Sequence, residues 1–226
     1  MMSELTSLVD SVEFAENPEP RCPCVLLLDT SGSMRGDPIQ ALNDGLRTFR
    51  NQLVKDSVAA RRVEVAVVTF DGKVEVVQDF VTADAFNPPE LTALGATAMG
   101  TAILKALDMI QLRKAQYRNN GVAYYRPWVF MITDGEPKGE RADAIQEAAG
   151  KVLEFERAKH VAFFAVGVED ANMSRLTRLA VRMPVKLKGL NFTDMFIWLS
   201  ASLQTVSQSR LDEQVPLAPP HGWAEI

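Results

Sequence analysis

The sequence predicts an α/β fold in which a central, mostly parallel sheet of six strands has one antiparallel edge strand and helices on both faces. Three observations lead to this prediction. Short apolar runs alternate along the chain with amphipathic segments, the order typical of parallel sheets. Two of these runs end at a carboxylate, Asp29 and Asp134. Asp71-Gly72 follows a third run and is typical of hairpin turns, so the next strand should return antiparallel.

The predicted strands are short runs of apolar or alternating residues. Residues 25–29 form a continuous apolar run up to Asp29, as expected for a strand buried on both faces. Valines alternate with other residues at the start of 63–70, and the segment 73–80 follows the turn as the returning strand. Three more apolar runs predict strands at 128–133, 161–168 and 185–187.

Helices are predicted where apolar residues recur at spacings of three and four. The clearest pattern covers 38–54, where Asp37 suits an N-cap and Pro38 suits the first helical position. The same spacing predicts helices around 103–110 and at 142–157, 173–181 and 192–206.

Charge is distributed unevenly along the chain. The 226 residues carry 24 Lys or Arg and 29 Asp or Glu, a net charge of −5. The whole excess lies in 1–20, which contain acidic residues and no basic ones. We therefore expect an acidic leader (1–20), one domain (21–209) and a Pro-rich tail (210–226), of which the last two together carry no net charge. The absence of a basic surplus argues against nucleic acid as a partner, and no apolar run approaches the ~18 residues of a membrane span.

The two cysteines, Cys22 and Cys24, are separated by one residue. On an extended strand their Cα atoms would lie about 6.7 Å apart, near the upper limit for a disulfide. We expect free thiols at the start of a buried strand, with no evident function. Because the N-terminus also lacks a signal-peptide pattern, the expected compartment is the cytoplasm.

Oxygen-bearing side chains follow several of the predicted strands or occupy nearby loops. Asp29, Ser31 and Ser33 lie at the end of the first strand, Thr97 lies in a loop rich in small residues, and Asp134 follows the 128–133 strand. Open parallel sheets bind ligands beyond the carboxyl ends of their strands. Two carboxylates and three hydroxyls without a nearby His or Cys suit Mg²⁺ or Mn²⁺ rather than zinc or copper. The sequence therefore predicts a magnesium site at this edge.

These residues resemble a family motif. Asp29-Thr30-Ser31-Gly32-Ser33, Thr97 and Asp134 have the order and spacing of the complete metal-ion-dependent adhesion site (MIDAS) of von Willebrand factor type A (VWA) domains. The resemblance covers about 22–208 and implies the three-layer, Rossmann-like VWA fold. Within this family the chain looks most like the bacterial tellurite-resistance-type (TerY-like) proteins, on the residues of 26–34, 97–100 and 198–203.

The resemblance implies a metal-dependent protein-binding module rather than an enzyme. Ser31 and Ser33 would bind the ion directly, Thr97 would do so in one loop conformation, and Asp29 and Asp134 would act directly or through water. A partner protein would supply an Asp or Glu carboxylate to the remaining position. The TerY-like resemblance further implies a stress-response system with a protein kinase and a protein phosphatase as partners.

Two alternatives stay open at this point. VWA proteins that resemble metal-chelatase subunits work beside an ATPase and use the same site, so the sequence does not separate them from the first interpretation; neighbouring genes would. A metal-dependent phosphatase with Asp29 as nucleophile is disfavoured, because the acid expected two residues later is Ser31.

Overall fold

The computed structural model describes residues 13–134, 136–137, 139–211 and 213–225. Its strands form one sheet, and all but the two at its edges run parallel to their neighbours. The strands are β1 (Cys22–Asp29), β2 (Val63–Phe70), β3 (Val74–Thr82), β4 (Trp128–Thr133), β5 (Ala162–Gly167), β6 (Val185–Leu187) and β7 (Ala224–Glu225). Their order across the sheet is β3-β2-β1-β4-β5-β6-β7. The predicted α/β fold is confirmed.

The prediction of six strands with one antiparallel edge was wrong in one respect. The sheet has seven strands, and an antiparallel strand lies at each edge, because β7 pairs with β6. Trp223, which precedes β7, is buried and lies 5.3 Å from the ring of Trp198. The end of the Pro-rich tail is therefore part of the sheet.

Helices cover both faces of the sheet, as the sequence predicts. They are α1 (Asp37–Leu53), α2 (Ser57–Arg62), α3 (Met99–Asn119), α4 (Ala142–Arg157), α5 (Met173–Leu179) and α6 (Phe192–Gln208). Helix α1 begins at Asp37, so that residue belongs to the first turn, and Gly36 is the N-cap. The short helix α2 was not predicted; Asp56 caps it by accepting hydrogen bonds from the backbone N–H groups of Val58 and Ala59.

Two apolar cores form, one on each side of the sheet. Side chains of β1 alternate between them: Leu26 and Leu28 face α1 and α6, whereas Val25 and Leu27 face α3 and α4. All eight residues of β1 and all eight of β2 are buried. Covering both faces explains why these strands consist almost entirely of apolar residues.

Part of the acidic leader packs on the domain. Phe14 is buried, and its ring lies 5.7 Å from that of Tyr117 and 4.9 Å from the Arg113 guanidinium. Glu13 pairs with Arg113 at 2.5 Å. Arg113 also donates to Glu64, a fully buried carboxylate of β2. Residues 1–12 lie outside the described part of the chain.

Glu64 is the centre of a buried charge network at the amino ends of the strands. It accepts hydrogen bonds from Arg21, Arg113 and the Tyr117 hydroxyl. Arg21 is itself fully buried. The two guanidinium groups compensate Glu64, and Glu13 of the leader balances the remaining positive charge.

Both cysteines are free and buried in β1, as expected. Burial, and then the nearby negative charge of Glu64, raise the pKa of the Cys22 thiol to about 12. Burial also raises the pKa of Cys24. Because the reactive form of cysteine is the thiolate, both thiols are unreactive at neutral pH.

Candidate metal centre

The parallel register places the predicted site at the carboxyl ends of β1 and β4. Leu28 pairs with Ile132, so the residues that follow them, Asp29 and Thr133, lie side by side. Asp134 comes directly after Thr133. Asp29 is fully buried, and Asp134 is half-buried. The two predicted carboxylates thus reach the same edge of the sheet because both strands end there.

Both oxygens of the Asp29 carboxylate have a hydrogen-bond donor. Oδ1 accepts from the backbone N–H of Ser31 at 2.8 Å, and Oδ2 accepts from the Thr133 hydroxyl at 2.6 Å. These two bonds fix the orientation of the carboxylate. The sequence motif includes Thr133, directly before Asp134, but did not predict its hydrogen bond to Asp29.

The electrostatics of Asp29 are those of a buried negative charge without a cation. Burial, the largest effect, and the negative charge of Asp134 raise the pKa of Asp29 to about 6, although the hydrogen bonds from Ser31 and Thr133 lower it. Among the described residues, no Lys, Arg or His forms an ion pair with Asp29 or Asp134. A divalent cation at this carboxylate would favour its ionised form.

The two predicted serines converge in the loop after β1. Their Oγ atoms lie 3.0 Å apart, with Ser31 buried and Ser33 exposed. A short 3₁₀ turn, Gly32–Met34, brings them together. The loop therefore presents two hydroxyl oxygens beside the Asp29 carboxylate, one of them open to solvent.

The loop that contains Thr97 is bonded directly to the serine loop. Gly32 N–H donates to the Gly95 carbonyl at 3.1 Å, and Leu94 N–H donates to the Thr30 carbonyl at 2.8 Å. Gly95 has φ 78°, in the region that favours glycine. Thr97 itself is buried. These bonds hold the Thr97 loop against the serine loop.

The loop after β4 completes the edge. Its Glu140 carboxylate accepts hydrogen bonds from the backbone N–H groups of Gly100 at 3.0 Å and Thr101 at 3.2 Å. It thereby caps α3, the helix that begins directly after the Thr97 loop. A Cβ on Gly139 would lie 3.3 Å from the Ala96 Cβ, so the two loops are in contact. Gly135 and Lys138 of this loop lie outside the described residues.

The donor set fits a hard divalent cation. No three His, Cys, Asp or Glu side chains come together as a metal site within the parts of the chain that the structure describes. A site here would depend on hydroxyls as well as on its two carboxylates. Oxygen donors beside a buried, uncompensated carboxylate are what Mg²⁺ or Mn²⁺ requires.

Comparison with known proteins identifies the family of the fold. The von Willebrand factor type A domain profile matches residues 24–194, which is most of the chain. The chain belongs to this family. VWA domains are in general protein-interaction modules rather than enzymes. A search among curated protein sequences finds no match.

Solved structures show the same fold at low sequence identity. A von Willebrand factor type A protein from Catenulispora acidiphila has a TM-score of 0.65 and 17% identity over 82% of this chain and 43% of its own. The pilus adhesin SpaC from Lactobacillus rhamnosus GG has a TM-score of 0.63 and 12% identity over 83% of this chain and 30% of its own. The PilB minor pilin from Streptococcus sanguinis has a TM-score of 0.60 and 13% identity over 83% and 62%, respectively. The chain thus spans less than half of the first two structures.

The described helices also bear on membrane insertion. None of them combines the length and the apolar composition that are needed to cross a lipid bilayer.

Proposed function

We propose that this VWA domain binds a protein partner through Mg²⁺ held at a complete MIDAS, with Mn²⁺ as a possible substitute. The site consists of Asp29, Ser31, Ser33, Thr97 and Asp134. The partner would contribute an Asp or Glu carboxylate. The observation that carries this proposal is the buried Asp29 carboxylate, which has two oriented oxygens and no cationic partner among the described residues.

Each residue of the site has a distinct part in this proposal. Ser31 and Ser33 present their hydroxyl oxygens together, and both would hold the ion. Asp29 supplies negative charge in an orientation fixed by Thr133. A bound divalent ion would supply a positive position that accepts one more anionic oxygen.

Thr97 and Asp134 are proposed to complete the site from the neighbouring loops. Both loops are tied to the serine loop or to each other by backbone bonds and close contacts. A shift in either loop would therefore change the distance of its oxygen from Ser31. Ser33 is the exposed member, so we infer that the partner approaches from its side.

The cellular setting of the proposal rests on the resemblance to TerY-like proteins. We propose that the domain acts in the cytoplasm, in a stress-response system of the tellurite-resistance type with a protein kinase and a protein phosphatase. Neighbouring genes test this setting: kinase and phosphatase genes support it, and an ATPase gene of the chelatase type favours the alternative complex.

Titration calorimetry with Mg²⁺ and with Mn²⁺ tests the site. The wild-type chain should bind either ion, Ser33→Ala should bind at least ten-fold more weakly, and Asp29→Asn should not bind. Asp108→Asn, which removes an exposed carboxylate from α3, is the matched control and should bind as the wild type does. Equal binding by Asp29→Asn and wild type would refute the site.

Affinity capture with and without EDTA tests the link between the metal and the partner. A partner that binds through the site should be lost on chelation and restored by excess Mg²⁺. The same partners in both samples would refute metal-dependent binding. Turnover of a generic phosphoester that Asp29→Asn abolishes would overturn the proposal of a binding module in favour of a phosphatase.

A further inference from the structure

A second candidate site lies at the opposite end of the sheet from the metal centre. It is a cavity of about 720 Å³ at the amino ends of β4 and β5, with Trp128, Ala162 and Phe164 on one side. Leu211 and Leu217, from the segment after α6, lie on the other side. A cavity of this volume is in the range of small-molecule sites, roughly 300–1,000 Å³.

The cavity is lined by more positive than negative charge. Four Lys or Arg side chains reach it, against Glu213 as the only carboxylate among the described lining residues. Two of these cations are already paired: Arg126 and Arg182 both bond to Glu156, at 2.6 and 2.8 Å. Lys114 and Lys159 form no ion pair with any described residue.

Lys114 is unusual because its side chain is mostly covered while its ammonium has no acceptor among the described residues. Only 6% of it is exposed, and among the described residues its ammonium has neither an ion pair nor a hydrogen bond. Its Nζ lies 6.0 Å from the centroid of the Tyr124 ring. Burial, followed by the positive charge of Arg118, lowers its pKa. The Nζ atom stays accessible at the cavity, so an anionic ligand there can bond to it.

Aromatic surface lies next to these cations. Tyr124 and Phe164 are half-buried and line the same cavity. The Arg182 guanidinium lies 5.0 Å from the centroid of Phe164. A flat ring can pack on such side chains while a charged group of the same molecule reaches the lysines.

We propose that this cavity binds a nucleotide-like ligand, an organic phosphate that carries an aromatic base. Two unpaired lysines match the charge of about −2 on one phosphate group at neutral pH. The base would pack against Tyr124 or Phe164, and the phosphate would bond to Lys114 and Lys159. This proposal does not depend on the metal centre, which lies at the other end of the strands.

Calorimetry in the presence of EDTA tests the proposal without a contribution from divalent metal. The probes are ADP, adenosine, pyrophosphate and a hexaglutamate peptide. ADP should bind more tightly than either adenosine or pyrophosphate, because each lacks one half of the recognised chemistry. Lys114→Gln should weaken the binding of ADP at least ten-fold. Phe164→Leu should weaken the binding of ADP but not that of pyrophosphate.

Lys105→Gln is the matched control, since Lys105 is an exposed lysine on the same helix, α3. It should bind ADP as the wild type does. Thermal unfolding without ligand shows that the variants fold. Absence of ADP binding at millimolar concentration, or equal binding by Lys114→Gln, would overturn the proposal. Binding of hexaglutamate in place of ADP would overturn it in favour of an acidic peptide.

Discussion

Gly100 lies where α3 packs tightly against α4, and replacing it by alanine tests that packing. A Cβ at position 100 would lie 2.7 Å from the carbonyl carbon and oxygen of Ala144 and from the backbone nitrogen of Ile145. Heavy atoms in favourable contact are about 3.5–4.0 Å apart. Because the atoms in the way belong to the backbone, the helices would have to separate by about 1 Å.

Two opposing effects set the size of the change. Overpacking of this kind costs typically 1–3 kcal/mol, whereas alanine gains at most about 1 kcal/mol over glycine within a helix. Gly100→Ala should therefore lower the free energy of unfolding by about 1–2 kcal/mol. For a chain of this length that corresponds to a fall in Tm of roughly 2–8 °C.

Gly150 of α4 provides the matched control, since a Cβ there would meet no atom within 4 Å. Gly150→Ala should raise the free energy of unfolding by about 0.5–1 kcal/mol through helix propensity alone. Urea unfolding of both variants measures the difference. Gly100→Ala should also weaken Mg²⁺ binding, because α3 begins just after Thr97, and Gly150→Ala should not. A Gly100→Ala variant as stable as Gly150→Ala would refute the packing argument.

Three further predictions concern buried charge and the leader. In the metal-free protein the pKa of Asp29 is raised to about 6, so the protonated carboxyl adds to the free energy of unfolding below about pH 4. This contribution, roughly 3 kcal/mol, is lost as the pH rises through 6. Urea unfolding between pH 4 and 7 should show this slope, and Asp29→Asn should abolish it. Glu64→Gln should destabilise the protein by about 3–5 kcal/mol in the same assay, because Arg21 and Arg113 lose their buried counter-charge; a loss below 1 kcal/mol would contradict this. Phe14→Ala should lower the free energy of unfolding by about 3 kcal/mol and speed amide hydrogen exchange in 13–20. Unchanged exchange would show that Phe14 does not anchor this segment to the domain.

Much of the candidate metal centre could be predicted from the sequence, because its position depends on local patterns. The apolar runs before Asp29 and Asp134 indicate buried parallel strands, and parallel strands bring their carboxyl ends to one edge. The spacing of Ser31 and Ser33 similarly predicts that both reach one point, and their hydroxyls lie 3.0 Å apart. Occupancy by a metal stays a prediction.

The features that were not predicted depend on contacts distant in sequence. Glu64 alternates with valines and suggests a solvent-facing side of β2, yet it is fully buried because Arg21 and Arg113 meet it there. Strand β7 has only two residues and so has no periodicity to detect. Its place is set by the burial of Trp223 and the pairing of Lys186 with Glu225.

The two edges of the sheet affect how copies of this chain can associate. At one edge β7 and β6 have two and three residues, too few for another chain to extend the sheet. At the other, β3 has exposed charges, among them Glu75, and irregular register against β2 near Val67. Charges and bulges of this kind oppose strand addition and aggregation. Recognition by main-chain pairing is therefore disfavoured at both edges, so selectivity for a partner would have to come from side chains.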